Sequence, residues 1–504
     1  MSIVKWVKSR LNLETTAALF VIGFGLVLRF RQYTLNLSFW LDEAMLALNI
    51  VNRSFSALLK PLDYEQGAPL GFLWIIKLFE TILGNNEYSL RLFPFLAGCL
   101  SLVILWLVAR QFIRPVGVVF ALLIFASSRH IVSYSVQVKQ YAVDITVSLL
   151  LYLLGLNLLG KATTRKDYWL LGLFGALSIW ISHAAVFTLA GLGLVLMGTA
   201  ALKKDWRKVF NYVLCGCVWL INFAALYLIQ YRSLAADPFL TGFWADFFMP
   251  FSSSTPGWIL DHLTSLFYNP GGLSTDVPSI VVLFLMLAGL LSLFLREKRW
   301  IWIFVLSLAF TLLASSLGKY PFGGRLAMFV VPGLLICAAE GIEVLRRPFA
   351  SKPVFGLIGA LLLTAVLAYG SVSFSIELLL KPKMAENIAP TMVFLKTNYR
   401  PSDVIYLYNT SIPAFRYYAP KYGLENATVL NGADFRQNQA GYQAELDQML
   451  GKKRVWFLFS HLTDYDYLDD RDYILHYAGQ LGTKKREFID PGTAINLYLY
   501  DLAP

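Results

Sequence analysis

A polytopic α-helical membrane protein with a small C-terminal α/β soluble domain is the fold class this sequence predicts, on three observations. Hydrophobic residues make up 57% and charged residues only 15%, with a mean hydropathy of +0.57, far from the composition of soluble globular domains. The apolar residues gather in long runs, each near the roughly 20 residues that a bilayer-spanning helix needs. Close to residue 380 the pattern changes to short alternating helical and strand-like stretches.

Eleven candidate spans follow in order, at 15–35, 88–109, 115–133, 139–160, 167–182, 184–202, 209–231, 278–295, 300–317, 325–345 and 353–376. The fifth and sixth are short and meet at Ser182-His183, so they read as two spans or as one re-entrant hairpin. With the N-terminus inside, the inner loops hold Arg110 and Arg114; Lys161, Arg165 and Lys166; Lys203, Lys204, Arg207 and Lys208; Arg296, Lys298 and Arg299; and Arg346, Arg347 and Lys352. Every short inner loop is basic, as the lysine and arginine bias of cytoplasmic loops requires, and an odd number of spans leaves the C-terminal region outside. The same clustering accounts for the net charge of +11 without nucleic acid, since no lysine run is interleaved with aromatics for base stacking. Lys5, Lys8 and Arg10 precede the first run, which ends in Arg29 and Arg31 without a small-residue cleavage site and reads as an uncleaved helix. Cys99, Cys215, Cys217 and Cys337 all fall in apolar runs, where packing is their expected role; Cys215-Gly216-Cys217 has no nearby histidine or further cysteine to complete a metal site.

The first outer loop, 36–87, is amphipathic. Residues 43–59 carry apolar side chains at helical spacing and predict a helix on the membrane surface; 70–83 predicts a second, with Lys77 and Glu80 on one face. Another outer segment, 232–277, is rich in Pro, Gly, Phe and Trp. The C-terminal part predicts helices at 384–398, 412–418, 443–450 and 467–481, and strands at 404–408, 427–430, 455–459 and 495–500. The expected domains are a membrane part, 1–379, and an extracytoplasmic α/β part, 380–504. Neither a dinucleotide fingerprint nor a P-loop occurs.

Four outer-face stretches carry the unusual residues: Phe39-Trp40-Leu41-Asp42-Glu43-Ala44, Asp63-Tyr64-Glu65 with Pro69, Val138-Lys139-Gln140-Tyr141-Ala142-Val143-Asp144, and Gly318-Lys319-Tyr320-Pro321-Phe322-Gly323-Gly324-Arg325. Acidic side chains are costly at bilayer depth, so Asp42 and Glu43 belong just outside the first span, as a reactive pair or as a charge pair marking the helix end. Lys139 and Arg325 fit phosphate binding or interfacial snorkelling, and Tyr141 and Tyr320 fit either a site or an aromatic belt. Asp144, a turn inside the fourth span, is expected to pair with a cation there. Gly323-Gly324 would let a phosphate approach the backbone at a helix start. Carboxylates that deprotonate a hydroxyl, beside cations that stabilise a phosphate leaving group, suit transfer from a lipid-linked phosphosugar; the same residue types suit lipid binding without chemistry.

The order of these features, with Asn86-Glu87-Tyr88-Ser89-Leu90-Arg91-Leu92-Phe93-Pro94 between the surface helices and the Lys-Gln-Tyr stretch with its following Asp, resembles the GT-C glycosyltransferases. More narrowly it is similar to the family that groups protein O-mannosyltransferases with bacterial aminoarabinose transferases, glycosyltransferase family 39-like. The resemblance covers roughly 15–345 and is strongest over 36–160. It implies about 11 transmembrane helices with outer-face juxtamembrane helices, and an inverting glycosyltransferase of the bacterial plasma membrane. Its donor would be a polyprenyl-phosphate sugar and its acceptor a lipid, glycan or protein. By the same carry-over Asp42 is the base or acceptor-binding acid, and Glu43 assists it or helps hold a metal. Lys139, Tyr141 and Arg325 surround the donor phosphate, Asp144 orients them, and Tyr64 and Glu65 line the acceptor side. Aminoarabinose-transferase-like members carry a lysine before the proline of the second surface helix; here Ala68-Pro69 stands there, which shifts that role towards Lys139 or Lys319. No cofactor is required, and a divalent metal is compatible with Asp42 and Glu43. His130, His183, His262, His461 and His476 show no metal-ligand spacing. The alternative from another class is a transporter or flippase of lipid-linked intermediates, which would place ionisable residues at the middle of its spans; here they gather at the outer ends.

Overall fold

Apolar runs deprived of water must satisfy their backbone groups internally, and a helix does so within one segment. Every predicted span is accordingly helical in the computed structural model, which describes residues 13–296, 300–381, 386–436, 438–462, 470–490 and 493–503. In chain order the membrane part and its outer loops give α1 (Leu13–Thr34), α2 (Leu41–Asn52), α3 (Leu70–Leu83), α4 (Glu87–Ala109), α5 (Pro115–Ser127), α6 (Arg129–Tyr134), α7 (Tyr141–Gly160) and α8 (Arg165–Ile181). Then come α9 (Ala185–Leu202), α10 (Trp206–Leu226), α11 (Pro238–Phe243), α12 (Thr255–Tyr268), α13 (Ser279–Arg296), α14 (Trp300–Ser316), α15 (Val331–Arg346) and α16 (Pro353–Leu380). Seven helical stretches among the described residues are long and apolar enough to cross a membrane by length and composition, and α5 and α14 are shorter apolar helices.

The chain divides into two units. The first comprises 1–35, 54–84 and 88–381; the second comprises 36–53, 85–87 and 382–504. At the centre of the first lies Gly324–Phe349, 89% buried along its most apolar window, whereas Trp206–Leu234 is only 22% buried and forms part of its rim. Small residues let the backbones around α15 close up. A Cβ at Gly289 on α13 would stand 1.8 Å from the Cys337 carbonyl oxygen, and one at Gly341 would stand 2.1 Å from that of Leu285. Arginines that the sequence assigns to inner loops also meet buried carboxylates on α15: Glu340 accepts from Arg347 at 2.6 Å and from Arg296 at 2.5 Å, and Glu343 from Arg346 at 2.8 Å. Lys5, Lys8, Arg10, Lys298 and Arg299 lie outside the described residues.

Several boundaries differ from expectation for local reasons. The third span breaks at Ser128, whose hydroxyl caps α6 through Ile131 N–H. The fifth and sixth are two helices, α8 and α9, separated at Ser182. The first surface helix ends at Asn52, because Arg53 turns extended at φ −114° and ψ 146°, and one 3-10 turn follows at Ala57–Leu59. The second is α3, with Lys77 and Glu80 paired at 3.0 Å.

The second unit contains β1 (Val404–Leu407), β2 (Thr428–Asn431), β3 (Val455–Phe459), β4 (Thr483–Ile489) and β5 (Asn496–Asp501), with α17 (Ala389–Asn398), α18 (Ile412–Tyr418), α19 (Gln439–Asp447) and α20 (Asp470–Leu481). The sheet order is β2-β1-β3-β5-β4, with β2, β1 and β3 mutually parallel and β5 antiparallel to both β3 and β4. β1 and β3 are buried throughout and hold the core through Tyr406, Phe457 and Phe459. The sequence shows no sign of β4, since Thr483-Lys484-Lys485-Arg486-Glu487 presents exposed charges in place of an apolar alternation; it is an edge strand recruited through its backbone. Residues 384 and 385 of the expected first helix, and 467–469 of the last, lie outside the described residues. The segment 36–53 belongs to this unit, and its α2 packs on α18.

Candidate functional site

Asp42 and Glu43 occupy the first turn of α2, where carboxylates interact favourably with the helix dipole. Glu43 is buried, at 1% exposure, and Asp42 half-buried. The backbone leading into this turn is bonded to C-terminal residues of the same unit. Ser38 Oγ donates to Asn387 Oδ1 at 2.7 Å, Phe39 N–H to the Tyr418 hydroxyl at 2.8 Å, and Leu41 N–H to Glu386 Oε2 at 3.1 Å. Glu386 Oε1 also meets His461 Nδ1 at 2.7 Å. Burial works against a charged His461, but the bond to Glu386 and the charges of Glu386 and Asp42 outweigh it and raise the imidazole above its ordinary value.

In the first unit, the turn before α3 is tight. Tyr64 and Glu65 both adopt left-handed backbone, at φ 63° and 49°, a conformation that costs non-glycine residues about 1 kcal/mol or more each. Gln66 holds the turn, donating through Nε2 to the Tyr64 carbonyl at 3.1 Å and accepting Lys139 Nζ on Oε1 at 2.7 Å. Lys139 is 4% exposed, so its ammonium is placed and not merely reaching for water. Gln140 and Gln230 donate to the next carbonyls of the turn, Gly67 at 3.4 Å and Ala68 at 2.7 Å.

Arg325 lies with its guanidinium 5.9 Å from the Tyr141 ring centroid and 5.4 Å from that of Trp244, which places a fixed positive charge beside two aromatic rings. The preceding loop is fixed by Phe322 N–H donating to the Phe247 carbonyl at 2.7 Å. Gly323 is demanded by the Phe247 ring, 2.1 Å from where a Cβ would be, and Gly324 is left-handed at φ 48° with open space beside it. Lys319, in the same loop, is exposed. Asp144 takes its hydrogen bond from Ser182 Oγ, at 2.5 Å, so its neighbour is the hydroxyl at the break between α8 and α9 and not the expected cation. At that break His183 stands edge-on to Tyr231, with centroids 5.0 Å apart, and burial pushes its imidazole down to about 4, so it is neutral at pH 7.

The structure therefore brings together Tyr141 with Arg325, and Lys139 with the turn bearing Tyr64 and Glu65; Asp42 and Glu43 are described with the second unit. Sequence reasoning missed Gln66, Trp244 and Glu386, and it named Ser182 and His461 without their partners. Trp244 had a signal, the aromatic richness of 232–277; the others are common polar residues whose partners are distant in sequence. Among the described residues no group of three or more His, Cys, Asp or Glu side chains is placed to hold a metal ion. A divalent cation at Asp42 and Glu43 would rest on those carboxylates plus water and substrate oxygens.

The model of one family, dolichyl-phosphate-mannose-protein mannosyltransferase, matches residues 67–228. Among solved structures, ArnT from Cupriavidus metallidurans bound to undecaprenyl phosphate has a TM-score of 0.55 at 14% identity, covering 99% of this chain and 98% of that one. Its apo form gives 0.53 at 14% identity, over 97% and 98%. The Archaeoglobus fulgidus oligosaccharyltransferase in complex with Zn and sulfate gives 0.51 at 12% identity, over 96% of this chain and 73% of that one. No curated protein sequence matches the chain significantly. The chain is a multi-pass membrane protein with the GT-C fold, similar to the protein O-mannosyltransferase and aminoarabinose transferase-like family.

Proposed function

We propose that the protein is an inverting glycosyltransferase that moves a sugar from a polyprenyl-phosphate donor to an acceptor at the outer face of a bacterial plasma membrane. The observation that carries this reading is the buried Lys139 together with Arg325 over the Tyr141 and Trp244 rings. It is a cation and aromatic arrangement suited to a lipid phosphate, in a fold shared with a protein solved bound to undecaprenyl phosphate.

In this reading Asp42 takes the proton of the acceptor hydroxyl and the oxygen attacks the anomeric carbon. The bond from that carbon to the phosphate oxygen breaks with inversion, and its electron pair leaves with the polyprenyl phosphate. Lys139 and Arg325 stabilise the negative charge gathering on that phosphate, Tyr141 donates to it, and the exposed Lys319 adds a flexible cation. Glu43 supports Asp42, Tyr64 and Glu65 line the acceptor side, and Asp144 acts through Ser182 on the α8–α9 break. Residues 1–379 carry the membrane machinery and 380–504 an extracytoplasmic domain, with the N-terminus cytoplasmic.

The test is donor turnover by the purified protein in nanodiscs. A panel of polyprenyl-phosphate hexoses and pentoses, with a total membrane extract as acceptor source, is followed by mass spectrometry. Loss of one donor with matching release of free polyprenyl phosphate is expected. Binding of none of the donors, or movement of an intact donor between leaflets without bond cleavage, would overturn it.

A further inference from the structure

The helix that carries Asp42 begins on a residue whose side chain does not cap it. Its N-cap residue is Trp40, whose indole has no oxygen to offer the first-turn amides and makes no capping bond. The acceptor comes from 345 residues away, as Glu386 Oε2 takes Leu41 N–H at 3.1 Å. The other carboxylate oxygen binds His461 Nδ1 at 2.7 Å, the His461 ring lies 6.1 Å from that of Trp40, and the Asp42 charge acts on the imidazole. One carboxylate–imidazole pair thus engages three consecutive residues, Trp40, Leu41 and Asp42. His461 reaches this place from left-handed backbone, at φ 52°, a conformation uncommon among non-glycine residues that histidine adopts more readily than most.

Physically the arrangement does two things. A carboxylate at a helix N-terminus satisfies an orphan amide and favours the dipole, which fixes the first turn. It also gathers the acids Glu386, Asp42 and Glu43 at one helix start, beside the His461 imidazole that Glu386 holds. A base must be held to about 0.5 Å and 10–20° to act well.

We propose that Glu386 and His461 are positioning residues for Asp42: by capping α2 in place of Trp40 they hold the Asp42 carboxylate in one orientation. The inference rests on the reading of Asp42 as the base. It makes the C-terminal domain a working part of the reaction and not only a cover or an acceptor-recognition module.

Two measurements on the full chain in nanodiscs test it. In hydrogen exchange of the peptide spanning 38–48, Glu386→Ala and His461→Ala raise exchange about five- to tenfold, while peptides from α7 and α15 stay unchanged. Glu386→Gln, which keeps an acceptor oxygen for Leu41 N–H, restores most of the protection. In turnover of the same polyprenyl-phosphate donor panel, Glu386→Ala and His461→Ala lower kcat by about tenfold with donor KM within about twofold, and neither lowers the residual rate of Asp42→Asn any further. Unchanged exchange at 38–48 overturns the proposal whatever the activity does. So does a loss of rate that adds fully to that of Asp42→Asn, or a rise in KM with kcat intact. If instead Asp42→Asn turns over like wild type, the assignment of the base fails, and exchange still reports whether the cap holds α2.

Discussion

Two buried polar regions, one in each unit, are built on opposite terms. In the second unit Asp403 is fully buried and completely matched. Its Oδ1 accepts Arg454 Nε at 2.7 Å, and its Oδ2 accepts Trp456 Nε1 at 2.8 Å, Arg454 Nη2 at 3.1 Å and the Arg400 N–H at 3.1 Å. Around the 64–69 turn of the first unit the matching stops short. The Oε1 atoms of Gln140 and Gln230, His183 Nε2 and the Tyr231 hydroxyl are buried with no hydrogen-bond partner among the described residues. Each such atom costs about 1–3 kcal/mol. A region whose groups are all matched within the protein serves to hold the fold; acceptors left over beside a buried turn are the ones open to a donor from water or a ligand.

That contrast can be broken in order of expected effect. Asp403→Ala leaves Arg454 and Trp456 without their acceptor and should lower the stability of the second unit by about 3–5 kcal/mol, read as a fall in the denaturant midpoint of tryptophan fluorescence. A shift within about 0.5 kcal/mol would remove the structural reading of that network. Arg325→Ala should weaken undecaprenyl phosphate binding by about 10- to 100-fold, the loss of a charge-assisted contact, with the unfolding midpoint nearly unchanged. Equal affinity for wild type and variant in a nanodisc binding titration would take Arg325 out of the phosphate site. Gln140→Met removes one open acceptor and one long bond; donor KM should rise about fivefold while stability moves by less than about 1 kcal/mol. A large destabilisation with unaltered KM would reverse the assignment of that region. Lys319→Ala, truncating an exposed side chain, should change donor KM by no more than about threefold.

The two histidines sharpen the same comparison through pH. His183 has its folded value pushed down to about 4 by burial, so its neutral form stabilises the first unit fully above the unfolded value of about 6.5. That contribution falls away as pH drops from about 6.5 towards 4. His461 is raised, so the stability it lends is full below about 6.5 and is lost as pH rises through its folded value. Hydrogen exchange at several pH values should therefore show residues near 183 loosening in acid and 38–48 loosening in base. Identical profiles for both would contradict the assignment.

The membrane architecture was legible because each span announces itself through a local run of apolar residues, and α7 or α16 needs no distant partner to be helical. The α/β domain was legible strand by strand wherever burial enforces a pattern, as in Val404–Leu407 and Val455–Phe459. It was illegible at Thr483–Ile489, where an edge strand wears the charges of a loop. The candidate residues show the same division. Asp42, Lys139 and Arg325 stand out because they are charges at the run ends that the sequence assigns to the outer face, away from the basic inner loops. Their partners do not: Gln66 meets Lys139 across 73 residues and Glu386 meets the start of α2 across 345, and nothing local marks either.

The central claim, that Asp42 activates an acceptor against a polyprenyl-phosphate sugar, is tested most directly by comparing wild type with Asp42→Asn in one sample format. Donor binding and release of free polyprenyl phosphate would be measured together. The account predicts that Asp42→Asn binds the donor as wild type does and releases polyprenyl phosphate only at a residual rate, about a hundredth of wild type or less, since the substitution removes the base and leaves the cations in place. Release by Asp42→Asn at a rate near that of wild type would contradict it.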